Sequence, residues 1–155
     1  GILKQQATLK VWAAINPFNH IELTDFNVYF VEPLKINTEL TERLHEKAYL
    51  NAYTYYKTGK YKSAIVAFKN ALKQYPESKR REEIMYLIVD SGYRLASNSI
   101  SEKQTDRYLS MLDSYLSFKE EFPESKYTKE VDRMAKHARD YLDRNKKDED
   151  KDNNI

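Results

Sequence analysis

The chain has 155 residues, no cysteine and a formal net charge of +2. Disulfide and thiol chemistry are therefore excluded, and near-balanced charge gives no bulk attraction to nucleic acid. Three glycines and four prolines stand against a charged fraction of about a third, with both signs interspersed, which favours long solvated helices over a β-rich fold.

Residues 1–35 carry no repeat signature. LKVWAAI has the apolar spacing of a short helix, FNVYFVEP that of a strand or extended segment, and Pro33 is expected to stop regular structure. No apolar run approaches the ~20 residues of a membrane span. The start has no charged-apolar-small leader pattern, and Gly1 in place of Met is expected of a processed or excised piece. Residues 36–58 read as one helix, with Asn37 or Thr38 as its cap and Glu39 and Glu42 at its positive end. Leu40, Leu44, Ala48 and Ala52 mark its expected buried stripe.

The stretch GKYKSAIVAFKNALKQYP, Gly59 to Pro76, is the strongest local signal. Gly59 turns the chain, Tyr61 and Phe68 fill space between helices, and the small Ala64 and Ala71 allow close approach. Pro76 ends a helix expected from Tyr61 to Tyr75. Gly59, Tyr61, Ala64, Phe68, Ala71 and Pro76 have the spacing of the second half of a tetratricopeptide (TPR) repeat. Counting back places Ala52 and Tyr55 at matching first-helix positions, with Asn51 and Ala48 departing from the usual leucine and tryptophan.

The next helix is expected from about Lys79 to Asn98, with Ile84, Leu87, Ile88, Ser91 and Leu95 facing inward and Gly92 permitting close contact. The polar link SNSISEKQ follows, then a helix from about Thr105 to Glu121 carrying Tyr108, Met111, Leu112, Tyr115 and Phe118. FPESK then repeats YPESK almost letter for letter, Pro123 following Pro76 by 47 residues. A standard unit has about 34, so the second unit is expected to lengthen both helices around the link. Tyr108, Met111, Tyr115 and Phe118 fall where Tyr61, Ala64, Phe68 and Ala71 stand in the first unit. A capping helix is expected from Tyr127 to about Leu142, with Val131, Met134, Ala138 and Tyr141 on one face. The charged tail 145–155 reads as disordered.

Little in the chain resembles chemistry. His20 beside Glu22, and His45 beside Glu42, are most economically solvated pairs, and His137 has no companion ligand. No HExxH, phosphate loop or GxSxG is present. DEDKDNN lacks the glycine of a calcium loop, and the basic clusters KYK, KRR and RNKK are interrupted by acids. No catalytic residue, metal or cofactor is expected. In the repeat register Glu46, Tyr49, Tyr53, Tyr56 and Lys57 face the concave side, where three aromatics beside a lysine suit protein contact. The competing reading packs these rings against the preceding helix or residues 1–35.

From about Asn37 to Lys146 the chain resembles the C-terminal part of a BamD-type lipoprotein, in the form found in Bacteroidetes-like bacteria. The likeness rests on ERLHEKAYLNAYTYYKTGKYKSAIVAFKNALKQYPESKRREE, on RLASNSISEKQTDRY and on DSYLSFKEEFPESKYTKE. It implies an all-α, TPR-like superhelix of two helical hairpins and a capping helix (residues 36–144), non-catalytic and periplasmic, held at the outer membrane by a lipidated cysteine of the full-length protein. Its implied partners are the periplasmic domains of the barrel-forming subunit, with no nucleic acid. Two other expectations stand beside it: a generic TPR adaptor binding a peptide at Tyr49, Tyr53 and Tyr56, and an accessory domain of an enzyme whose catalytic part lies elsewhere.

Overall fold

The computed structural model describes residues 32–152, with side chains described over 37–146. Five helices account for it: α1 (Glu32–Lys57), α2 (Tyr61–Gln74), α3 (Arg81–Ser97), α4 (Ser101–Glu121) and α5 (Thr128–Asp152). No strand occurs among the described residues, and the fold is all-α and TPR-like, as expected. The readings made on residues 1–31, His20 among them, lie outside the described residues. The chain divides into two compact units, residues 1–41 and 42–155, and the helical core belongs to the second.

The first hairpin closes as its sequence dictates. Gly59 adopts φ 73°, the left-handed conformation that glycine reaches without a Cβ penalty. It lets the Gly59 N–H donate to the Tyr56 carbonyl (3.0 Å) and the Lys60 N–H to the Tyr55 carbonyl (2.9 Å). This Schellman arrangement satisfies carbonyls that the end of α1 would otherwise leave open. Ala64, Phe68 and Ala71 of α2 are buried, and Phe68 and Ala64 have no exposed surface.

The YPESK and FPESK turns adopt one backbone conformation. Tyr75 (φ −133°, ψ 69°) and Phe122 (φ −129°, ψ 65°) end their helices alike, donating to Ala71 and Phe118. In each, the serine hydroxyl accepts a backbone N–H two residues on: Arg80 to Ser78 at 3.3 Å, Tyr127 to Ser125 at 3.0 Å. Tyr108, Met111, Tyr115 and Phe118 of α4 are all buried, so the register carried across 47 residues holds.

Helix α3 is the shared wall. Ile84, Leu87 and Ile88 join Tyr49, Ala52, Ala64 and Phe68 in one cluster. Met85, Val89 and Ala96 join α4 and α5 residues, including Tyr108, Phe118, Val131, Met134 and Ala138, in the other. A helix apolar on two sides is what a central position between layers demands. Gly92 lies at the tightest crossing, where a Cβ would stand 3.2 Å from the Met111 side chain.

Several boundaries and one stripe differ from expectation. Helix α1 starts at Glu32, so Pro33 lies inside its first turn, where a missing N–H costs nothing, and Asn37 and Thr38 are helical residues, not caps. Leu40 and Leu44 are exposed by 54% and 43%, correcting the every-fourth-residue stripe. Steps of four overshoot a 3.6-residue turn by about 40° each, so such a series leaves the core. The buried side instead follows His45, Tyr49, Ala52 and Tyr56, a 4-3-4 spacing. Helix α4 begins at Ser101, which shrinks the polar link to Asn98–Ile100. Helix α5 continues to Asp152, well past Leu142 and into the segment read as disordered.

Candidate functional site

Three tyrosines of α1 form a ladder: Tyr49 stacks on Tyr53 (5.5 Å between ring centres) and Tyr53 on Tyr56 (5.7 Å). Their spacing in sequence turns them to one side of the helix, and α3 meets that side. The Tyr49 hydroxyl donates to Glu83 (2.9 Å) and the Tyr56 hydroxyl to Asp90 (2.6 Å). Arg80 lies 4.3 Å over the Tyr49 ring. Its Nε and Nη2 donate to the two oxygens of Glu46 at 2.7 and 3.0 Å, and its Nη1 to Glu83 at 2.9 Å. Arg94 donates to Asp90 at 2.6 Å and lies 5.8 Å over Tyr56.

Glu46–Arg80, Tyr49–Glu83 and Tyr56–Asp90 each span 34 residues, the standard repeat length. The α1-to-α3 step is thus regular, and the 13 additional residues all fall between α3 and α5. Burial pushes the Tyr49 and Tyr56 hydroxyls well above the ordinary phenol range, reinforced by their carboxylate acceptors. The Glu46 hydrogen bonds raise Arg80 further above its ordinary value, and those of Asp90 raise Arg94. Tyr49, Tyr56, Arg80 and Arg94 therefore stay protonated throughout the neutral range.

The five residues singled out from sequence separate into two roles. Tyr49 is only 5% exposed and, with Glu46 and Tyr56, ties α1 to α3. Tyr53 is half-buried with a hydroxyl that no described residue engages, and exposed Lys57 has its ammonium 5.9 Å over the Tyr53 ring. Tyr49 and Tyr56 pack against α3, the helix that follows and not the preceding one, while Tyr53 and Lys57 stay partly exposed. Sequence reasoning missed Arg80, Glu83, Asp90 and Arg94; searching for oppositely charged or tyrosine–acid pairs 34 residues apart finds the first three, and Arg94 follows as the i,i+4 partner of Asp90. It also missed Tyr86 and Tyr127, both half-buried, which stack at 4.2 Å with planes 9° apart. Tyr127 directly precedes α5, so this pair bridges α3 and the start of α5, and Tyr86 lies within electrostatic reach of Tyr56 of α1.

The histidines serve as ring neighbours. His45 packs 4.5 Å from Tyr75 and His137 5.6 Å from Tyr93, while the Glu42 carboxylate pairs with Lys79. No acidic or histidine cluster fit for a metal occurs among the described residues. No described helix is long and apolar enough to cross a membrane.

Stacked hairpins with a tyrosine-lined seam define a helical-repeat protein of TPR-like build. The chain belongs to the YfiO family of outer membrane lipoproteins, whose model matches residues 39–147. That family is the BamD-like one, in agreement with the resemblance carried by the repeat and the FPESK turn. It associates the chain with the cell envelope and with outer membrane assembly. None of the curated proteins matches the chain.

Proposed function

We propose that this chain is the non-catalytic docking region of a BamD-type assembly factor, acting in the periplasm at the outer membrane by binding the periplasmic domains of the barrel-forming subunit. The observation that carries the reading is a set of half-buried rings, Tyr53 on α1 and the stacked Tyr86–Tyr127 pair, beside cross-helix ion pairs that tie α1 to α3. Rigid aromatics with few rotatable bonds bind at low entropic cost, and charge-assisted hydrogen bonds beside them hold α1 and α3 together. Membership of the YfiO family supports the same reading.

A second reading, a TPR adaptor taking an extended peptide, is favoured by the Tyr53 hydroxyl, which no described residue engages, and by Lys57 over its ring. Calorimetric titration with the purified periplasmic domains of the barrel-forming subunit separates the two. Binding that Tyr53→Ala weakens about tenfold, a loss typical of an interface aromatic, supports docking on these rings. No heat of binding with the folded chain, together with capture of short peptides from a library, supports the adaptor.

A further inference from the structure

The outward faces of α2 and α4 are built of opposite charge. On α2, Lys62, Val66, Lys69 and Lys73 form one exposed stripe, and the helix contains no acid. On α4 the equivalent stripe, in the 47-residue register, is Leu109, Asp113, Leu116 and Glu120, with Asp106 one turn earlier, again all exposed. Val66, Leu109 and Leu116 expose 56%, 49% and 57% of their surface. None of these six charges has an ion-pair partner among the described residues, although Glu42, Glu46, Asp90, Glu121 and Asp132 around them are all paired.

The two stripes match in only one direction. Read forward, α2 presents Lys62, Val66, Lys69, Lys73 at steps of 4, 3 and 4. Read backward, α4 presents Glu120, Leu116, Asp113, Leu109 at the same steps. Antiparallel pairing therefore sets Lys62 on Glu120, Val66 on Leu116 and Lys69 on Asp113, and leaves Lys73 over Leu109 within one turn of Asp106. Parallel pairing sets lysine on leucine twice and valine on aspartate. The acidic face of α4 also disfavours an anionic bilayer as the occupant of this side of the molecule, because it would be repelled where α2 is attracted.

We infer that this side is a head-to-tail self-association surface: α2 of one copy lies antiparallel on α4 of a second copy. Both stripes stay open at the ends of such a pair, so the contact extends to further copies instead of closing. A single helix-on-helix contact buries far less than the roughly 1,600 Å² of a standard stable interface. The association is accordingly weak and governed by screened surface charge.

Sedimentation velocity on the full chain at roughly 0.5 mM protein and about 20 mM salt, against the same protein in about 0.5 M salt, is the first test. Concentration-dependent association that the higher salt abolishes is expected. K69E/K73E and D113K/E120K should each be monomeric, because each then presents two stripes of like charge. Mixed, they should associate again, since the first keeps a native α4 stripe, the second a native α2 stripe, and the two reversed stripes are themselves opposite in charge. All four positions are exposed, and unchanged circular dichroism in the variants certifies the fold. A monomeric wild-type chain under low salt, or a mixture that stays monomeric, overturns the proposal. So does a wild-type monomer that cosediments with phosphatidylglycerol vesicles through Lys69 and Lys73, which would make the lysine stripe a lipid contact.

Discussion

Replacing Ala64 by leucine tests the packing that the repeat motif predicts. Ala64 has no exposed surface and lies among Tyr49, Ala52, Phe68, Ile84, Leu87 and Ile88, where α1, α2 and α3 meet. Leucine and alanine differ little in helix propensity, so the change acts through volume alone. Forcing extra carbons into a packed crossing costs about 1–3 kcal/mol. For a domain of this size that lowers the melting temperature by roughly 5–15 °C. Val66, two residues further along the same helix, is 56% exposed, and Val66→Leu should melt with the wild type. Ala64→Arg adds an unpaired buried charge, worth about 3–5 kcal/mol on its own, against a total stability of about 5–15 kcal/mol for a typical domain. Thermal unfolding followed by far-ultraviolet circular dichroism reads all three. Wild-type melting of Ala64→Leu would refute the close crossing, and equal destabilisation by Val66→Leu would refute the assignment of faces on α2.

Tyr53→Ala should lower stability by only about 1–2 kcal/mol, through its two ring stacks, while weakening partner binding; a larger stability loss would move Tyr53 into the frame. Asp90→Ala should cost about 1–3 kcal/mol, because it leaves the Tyr56 hydroxyl without its acceptor, while Arg94, 48% exposed, turns to water. Chemical denaturation measures that loss, and a change below about 1 kcal/mol would show that water replaces the carboxylate. The Arg81 hydrogen bonds hold the Glu121 carboxyl below its ordinary value. A depressed folded pKa gives stability that is present above the unfolded value of about 4.3 and is lost as pH falls through the folded one. Arg81→Gln should flatten the acid limb of the stability profile by only a few tenths of a kcal/mol, because both side chains are about a third exposed. An unchanged acid limb would assign that sensitivity to other carboxylates.

The second helix of each hairpin was legible because its signals are local. Gly59 needs positive φ, Pro76 and Pro123 follow helix ends, and Ala64, Phe68 and Ala71 recur at a spacing that only one face can hold. The first helix was less so. Leu40 and Leu44 look like core residues by type, yet the face that meets α3 carries Tyr49, Ala52 and Tyr56, and the two tyrosine hydroxyls find acceptors that are distant in sequence. An apolar-periodicity count discards a tyrosine–aspartate pair, although each member is buried because the other is there. The acids and arginines of α3 were invisible for the same reason: Glu83 reads as a favourable charge at a helix start, and only the fold shows that it also receives Tyr49.

The repeat length connects these observations. A fixed offset of 34 between α1 and α3 means that one helix can template the chemistry of the next, position by position: Glu46 with Arg80, Tyr49 with Glu83, Tyr56 with Asp90. From α3 to α5 the offset becomes 47, and the equivalents of Arg80, Glu83 and Asp90 are Tyr127, Glu130 and His137. The tyrosine–carboxylate theme then moves to α4, where Tyr115 donates to Asp132 of α5 at 2.8 Å. Lengthening the second unit thus transfers the polar tie from the first helix of a hairpin to the second, and the first-helix side of α5 is left with the stacked Tyr86–Tyr127 pair. The stacked pair proposed for docking lies where the regular spacing of the repeat ends.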